Sequence, residues 1–167
     1  MRQVDFVIDS ETDYIAQFIT QYVGSFDFPA MVNDVFHLKT EFHVSLLKLP
    51  AETDDDTRSA INKASIAAGK VFTARPFRFT GQFRTCRYQD RQSIIGLVST
   101  PALAEWRKAI AAVAPDLEFT IPHVTLYTLD GRGIGLNSEA EFAERTTELD
   151  EATHRLLINI LQAKENN

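Results

Sequence analysis

Two of the four histidines in the 167-residue chain sit in the same setting: Phe42-His43-Val44-Ser45-Leu46 and Pro122-His123-Val124-Thr125-Leu126. Each is an imidazole, one aliphatic residue, a hydroxyl residue and then leucine. In a strand, side chains alternate between faces. His43 and Ser45 then share one face, as do His123, Thr125 and Tyr127, while Val44, Leu46, Val124 and Leu126 point into a core. Two such strands facing each other would converge two imidazoles and two hydroxyls on one point. Histidine titrates near neutrality, so one imidazole can accept a proton while the other donates one. The Ser45 and Thr125 hydroxyls would hydrogen-bond the non-bridging oxygens of a phosphodiester. They do not suit a nucleophile's role, because a histidine two residues along the same strand runs parallel to the hydroxyl rather than towards it. This chemistry needs no metal and no cofactor.

Other residues could bind such a substrate. From Arg75 to Arg91 there are five arginines (75, 78, 84, 87 and 91) against one acid, Asp90. Arg84 and Arg87 are the candidates taken from that stretch, with solvated surface arginines as the alternative. Arg132 lies between Gly131 and Gly133 behind the second motif, in a loop able to swing over a cleft. Tyr127 could stack a base, bond a phosphate or pack at the cleft mouth. Lys48 shares the parity of Leu46 and points away. His37 shares the parity of His43, but six strand residues would carry it roughly 20 Å off. His154 has no partner signal, and Asp54-Asp55-Asp56 reads as a solvated helix start where the dipole favours acids.

The length suits one domain spanning residues 1–167. Its composition, 44% hydrophobic and 24% charged, is that of an ordinary globular chain. No apolar run reaches the roughly 18 residues of a membrane span, and the N-terminus lacks a signal-peptide stretch. Cys86 is the only cysteine, which excludes an internal disulfide and a thiolate cage. A reducing cytoplasm is the expected location, with no membrane partner. The net charge of −6 argues against broad grip on long-duplex nucleic acid. It leaves room for a small nucleotide or an RNA end, because a local field can oppose the global one.

The elements that must position the motifs can be read in outline. Val4 to Ile8 forms a short strand. Ser10-Glu11-Thr12-Asp13 resembles a capping box, and Ile15, Phe18, Ile19 and Tyr22 recur at helical spacing. The first motif strand runs from about Phe42 to Leu49, stopped by Pro50, and a helix follows to about Gly69. Phe77, Phe79 and Phe83 alternate with polar residues in a strand, and Ser93 to Val98 forms the next. Thr100-Pro101 caps a helix carrying Leu103, Trp106, Ile110 and Val113. The second motif strand spans about Ile121 to Leu129. Ser138 and Glu141 open a short helix, and a last one, about Glu151 to Ala163, carries Ala152, Leu156, Leu157, Ile160 and Leu161. Mixed element order with alternating strands predicts an α+β domain of largely antiparallel sheet. A helix beside each motif strand suggests an old duplication.

Two histidine–x–hydroxyl motifs 80 residues apart (123 − 43 = 80) in a chain of this size resemble the 2H phosphoesterase superfamily. That group includes the 2′-5′ RNA ligase-like proteins and the 2′,3′-cyclic nucleotide phosphodiesterases. Pro122 departs from the apolar strand residue more usual before the histidine, and nothing beyond Gly133 is matched. The resemblance implies two pseudo-symmetric lobes around a central cleft, with helices outside. It also implies metal-independent hydrolysis of 2′,3′-cyclic phosphate or 2′-5′-linked nucleotides or RNA ends by a monomer. By analogy it makes His123 the base and His43 the acid. Two alternatives stand beside it: a nucleotide or RNA-end binding module without turnover, and a metal hydrolase using His43, His123 and Asp130.

Overall fold

The two motif segments are neighbouring strands near the middle of one antiparallel sheet. The computed structural model describes residues 5–9, 14–18, 27–40, 42–50 and 52–165. Among the described residues, nine strands form the sheet: β1 (Asp5–Asp9), β2 (Tyr14–Phe18), β3 (Met31–Val32), β4 (Phe36–Leu38), β5 (Val44–Lys48), β6 (Arg78–Tyr88), β7 (Arg91–Ser99), β8 (His123–Thr128) and β9 (Thr146–Glu148). Their order is β1-β2-β5-β8-β7-β6-β9, with β4 also on β8 and β3 on β4. Every ladder is antiparallel. Helices α1 (Asp55–Gly69), α2 (Val71–Ala74), α3 (Ala102–Ala111), α4 (Glu139–Arg145) and α5 (Glu151–Glu165) complete an α+β fold.

One expectation needs correcting. Tyr14–Phe18 is strand, where the spacing of Ile15 and Phe18 predicts helix. Tyr, Ile and Phe favour strands as much as their spacing favours helix, and the segment finds ladders on both sides, with β1 and β5. The Ser10–Asp13 capping box, Ile19 and Tyr22 lie outside the described residues.

The later helices start where their polar residues predict. Asp54 accepts from the Thr57 backbone N–H at 2.8 Å, and Ser138 from that of Glu141 at 3.2 Å. The Thr100 hydroxyl accepts from Ala102 N–H. Two apolar stripes differ from expectation. Val113 lies beyond α3 and is exposed, and α5 buries Thr153 and Leu157 while Ala152 and Leu156 face outwards.

The sheet has two unlike faces. Val44, Leu46, Val124, Leu126, Ile94 and Phe83 enter the main core, together with Ile61 of α1, Trp106 and Ile110 of α3 and Leu157 of α5. The Trp106 indole N–H donates to the Ser65 carbonyl at 3.3 Å and ties α3 to α1. On the opposite face, Ile95 and Cys86 pack beneath Ile134 and Leu136, with Leu97, Ile121 and Phe142 around them. Gly96 is required on the core face, since a Cβ there would lie 2.6 Å from the Phe79 ring.

Both motif strands carry the same irregularity. Against β2, Ser45 pairs with Ala16 and Leu47 with Ile15, so Leu46 is the extra residue of a bulge. Against β7, Thr125 pairs with Ile95 and Tyr127 with Ile94, so Leu126 is the extra residue there. The bulge falls on the leucine after the hydroxyl in both.

Candidate active site

Val44 pairs with Val124 across the β5–β8 ladder. Counting outwards in antiparallel register sets His43 opposite Thr125 and Ser45 opposite His123, on the face turned away from the main core. The two imidazoles and two hydroxyls thus form a small square on adjacent strands. The strands are further joined by the Thr120 hydroxyl, which donates to the Ser45 carbonyl. Arg107 of α3 holds that corner from below, donating to the Thr120 carbonyl at 2.9 Å.

The two histidines differ in setting. His43, Ser45 and Thr125 are half-buried, whereas His123 is only 6% exposed. The His123 Nδ1 lies 2.7 Å from the Ile121 carbonyl oxygen. A carbonyl only accepts, so Nδ1 carries the proton and the neutral ring keeps its lone pair on Nε2. Burial pulls the His123 pKa below its ordinary value; the Ile121 carbonyl opposes this, the His43 charge adds to it, and the Ile134 carbonyl opposes it again.

What buries His123 is a strap. After β8 the chain turns back over the motif face, with Gly131 N–H donating to the Thr128 hydroxyl at 2.9 Å. Gly133 passes Thr125, whose Oγ1 would lie 3.7 Å from a Cβ there. Ile134 and Leu136 are buried, and the Leu136 carbonyl accepts from Ile121 N–H at 3.0 Å. Arg145 of α4 donates to the Gly135 carbonyl at 3.0 Å and fixes the far end.

The binding candidates scatter. Tyr127 is fully buried in the main core and donates its hydroxyl to the Pro29 carbonyl at 3.0 Å. The bulge at Leu126 breaks the alternation that would have set Tyr127 beside Thr125. Burial pushes its phenol up to about 12. Arg84 pairs with Ile95 and so lies on the motif face, two strands from Thr125, with its guanidinium 5.6 Å from the Phe142 ring. Arg87 is exposed near the β6–β7 turn. Arg132 sits on the strap but is ion-paired to Asp130 and to Asp90, the latter at 2.9 Å. Hydrogen bonding to Arg132 holds both carboxyls below the usual range.

His37 is exposed in β4 opposite Thr128, and His154 lies edge-on to Phe83 at 5.9 Å, beside a groove lined by Gln82, Arg84 and Glu148. Lys48 is exposed. One residue near the motifs escaped the sequence reading. Lys39 joins β4 to the first motif, shares odd parity with His37 and His43, and donates Nζ to the Gly131 carbonyl at 2.8 Å. That parity was the available signal.

Among the described residues, no three His, Cys, Asp or Glu side chains form a metal-holding group, and no helix is long and apolar enough to cross a membrane. Comparison with protein families, curated proteins and solved structures finds no match.

Proposed function

We propose that the chain is a two-histidine phosphoesterase that hydrolyses 2′,3′-cyclic phosphate or 2′-5′-linked nucleotides or RNA ends, as its resemblance to the 2H phosphoesterases implies. The observation that carries the reading is the Val44–Val124 pairing, which gathers His43, Ser45, His123 and Thr125 on one sheet face. In the proposed step, His123 Nε2 takes a proton from water as its oxygen attacks phosphorus. The bond from phosphorus to the ribose oxygen breaks, and protonated His43 gives that oxygen its proton. Ser45 and Thr125 hold the non-bridging oxygens. Burial favouring neutral His123, and the Ile121 carbonyl fixing its tautomer, support His123 as the base. Hydrolysis of this kind is carried by side chains of this chain alone, acting as a monomer in the cytoplasm.

The ladders also support two pseudo-symmetric lobes. The pairs Ala16–Ser45 and Gln17–Val44 correspond to Ile95–Thr125 and Gly96–Val124. The pairs Phe6–Gln17 and Val7–Ala16 correspond to Phe83–Gly96 and Arg84–Ile95. Hairpin and motif strand recur in the same register on each side of the β5–β8 seam, as a duplication requires.

One observation favours a nucleotide-binding module without turnover, namely the cover over His123. A panel of 2′,3′-cyclic and 2′-5′-linked nucleotides, assayed with EDTA against wild type, His43→Ala and His123→Ala, tests the reading. EDTA-resistant hydrolysis lost in both variants is the expected result. Calorimetric binding with no hydrolysis supports the module, and activity that survives both substitutions refutes the two-histidine mechanism.

A further inference from the structure

The motif face offers two neutral hydroxyls and at most one charged imidazole to a substrate that arrives negatively charged. Of the arginines suggested by sequence, Arg132 is compensated by two carboxylates and Arg84 lies two strands away beside Phe142. Lys39 is better placed. Its backbone N–H donates to the Leu126 carbonyl at 2.8 Å, which sets its Cα beside the residue following Thr125. Phe36 and Leu38 turn to the main core, so by alternation Lys39 turns to the motif face, on the chain leading directly to His43. Its ammonium is already held at the rim of the site, on the Gly131 carbonyl of the strap that passes over Thr125.

We infer that Lys39 is a substrate-binding residue whose ammonium neutralises the substrate phosphate at the His43–Thr125 edge; this rests on the phosphoesterase reading. An ammonium has three donors, and the Gly131 carbonyl uses one. The tether spares the entropy of ordering a long side chain when substrate binds, and it aligns strap and cation in one act. A charge-assisted bond to a phosphate oxygen is strong enough to govern ground-state affinity.

Three substitutions separate charge from tether. Lys39→Arg keeps both, Lys39→Gln keeps a donor for Gly131 without the charge, and Lys39→Met keeps neither. With 2′,3′-cyclic AMP as substrate, Lys39→Met and Lys39→Gln are expected to raise KM about tenfold or more, with kcat within about threefold. Lys39→Arg is expected to stay within about threefold of wild type in both. The salt dependence of KM weakens in the two uncharged variants. Affinity for 2′-AMP and 3′-AMP, the two monophosphates that ring opening can give, measured by calorimetry in the same set, follows the same order without relying on turnover. If Lys39→Gln matches wild type while Lys39→Met is impaired, Lys39 is a tether and the inference is overturned. Unchanged KM and product affinity in Lys39→Met overturn it as well. A wild-type protein that neither binds nor cleaves any member of the panel removes the phosphoesterase reading itself, which is a different outcome from either.

Discussion

Val44 and Val124 face each other across the β5–β8 ladder, and this single pairing makes each motif complete the other. His43 stands across from the second hydroxyl, Thr125, and His123 from the first, Ser45. Neither strand holds a usable pair by itself, because a histidine and a hydroxyl on one strand face point the same way.

The proposed function, in which both motifs serve one phosphate, predicts non-additive losses. His43→Asn and His123→Asn are each expected to lower kcat about 10²–10⁴-fold. The double variant should be little worse than the poorer single one, since either loss removes the same acid–base cycle. Ser45→Ala and Thr125→Ala should each cost less, at most about 10²–10³-fold. Single-turnover assays on the set decide the matter; losses that simply multiply would mean two independent sites.

The His123 setting fixes the sign of two pH effects. Its pKa is lowered chiefly by burial, so the acidic limb of kcat/KM is expected below the ordinary 6.5 of a histidine. Above that value, stability owed to neutral His123 is fully present. Between 6.5 and the lower folded-state value, the unfolded chain binds a proton that the native chain refuses, so stability falls as pH falls. His123→Asn should flatten the urea midpoint in the window that opens as pH falls through 6.5, while leaving acid titration of the carboxylates intact. A midpoint that rises on acidification through that window would contradict the buried neutral ring.

Tyr127 provides a test of the bulge. Being in the core, with its hydroxyl on the Pro29 carbonyl, it is expected to matter for stability and not for substrate. Tyr127→Phe should lower unfolding free energy by about 1–2 kcal/mol through an unpaired carbonyl, with KM unchanged. A KM raised several-fold with normal stability would return Tyr127 to the cleft.

The sequence made the pair of motif strands legible and the geometry around them only partly so. Motif strands, the strands β6 and β7 and the starts of α1, α3 and α4 follow from alternation and caps. Tyr127 was misplaced because counting by twos assumes an unbroken pleat, and a bulge adds a residue without leaving a mark in composition. Tyr14–Phe18 was ambiguous because five apolar-rich residues satisfy both periods, and only pairing with β1 and β5 selects the strand. Lys39 and the strap depend on contacts between residues about ninety apart (131 − 39 = 92), beyond any local pattern.

The strap explains why two nearly identical motifs are not chemically equivalent. Ile134 and Leu136 are buried over the face that holds His123, while His43 at the mirrored position is half-exposed. The groups facing His123 are the Ile121 and Ile134 carbonyls, the Leu97 side chain from β7, and, as the charged group, His43 immediately before β5. Ile134→Ser should let water reach the ring, so its pKa rises towards 6.5 and the acidic limb of the pH profile moves up with it. Titration of ¹³C-labelled histidine by NMR reads the same shift without substrate, and His43 provides the internal comparison. A buried apolar-to-polar change also costs about 1–3 kcal/mol, so the variant is compared with Ile134→Val, which keeps the cover and should titrate like wild type. Should His123 titrate identically in Ile134→Ser and Ile134→Val, the asymmetry between the motifs does not come from the strap.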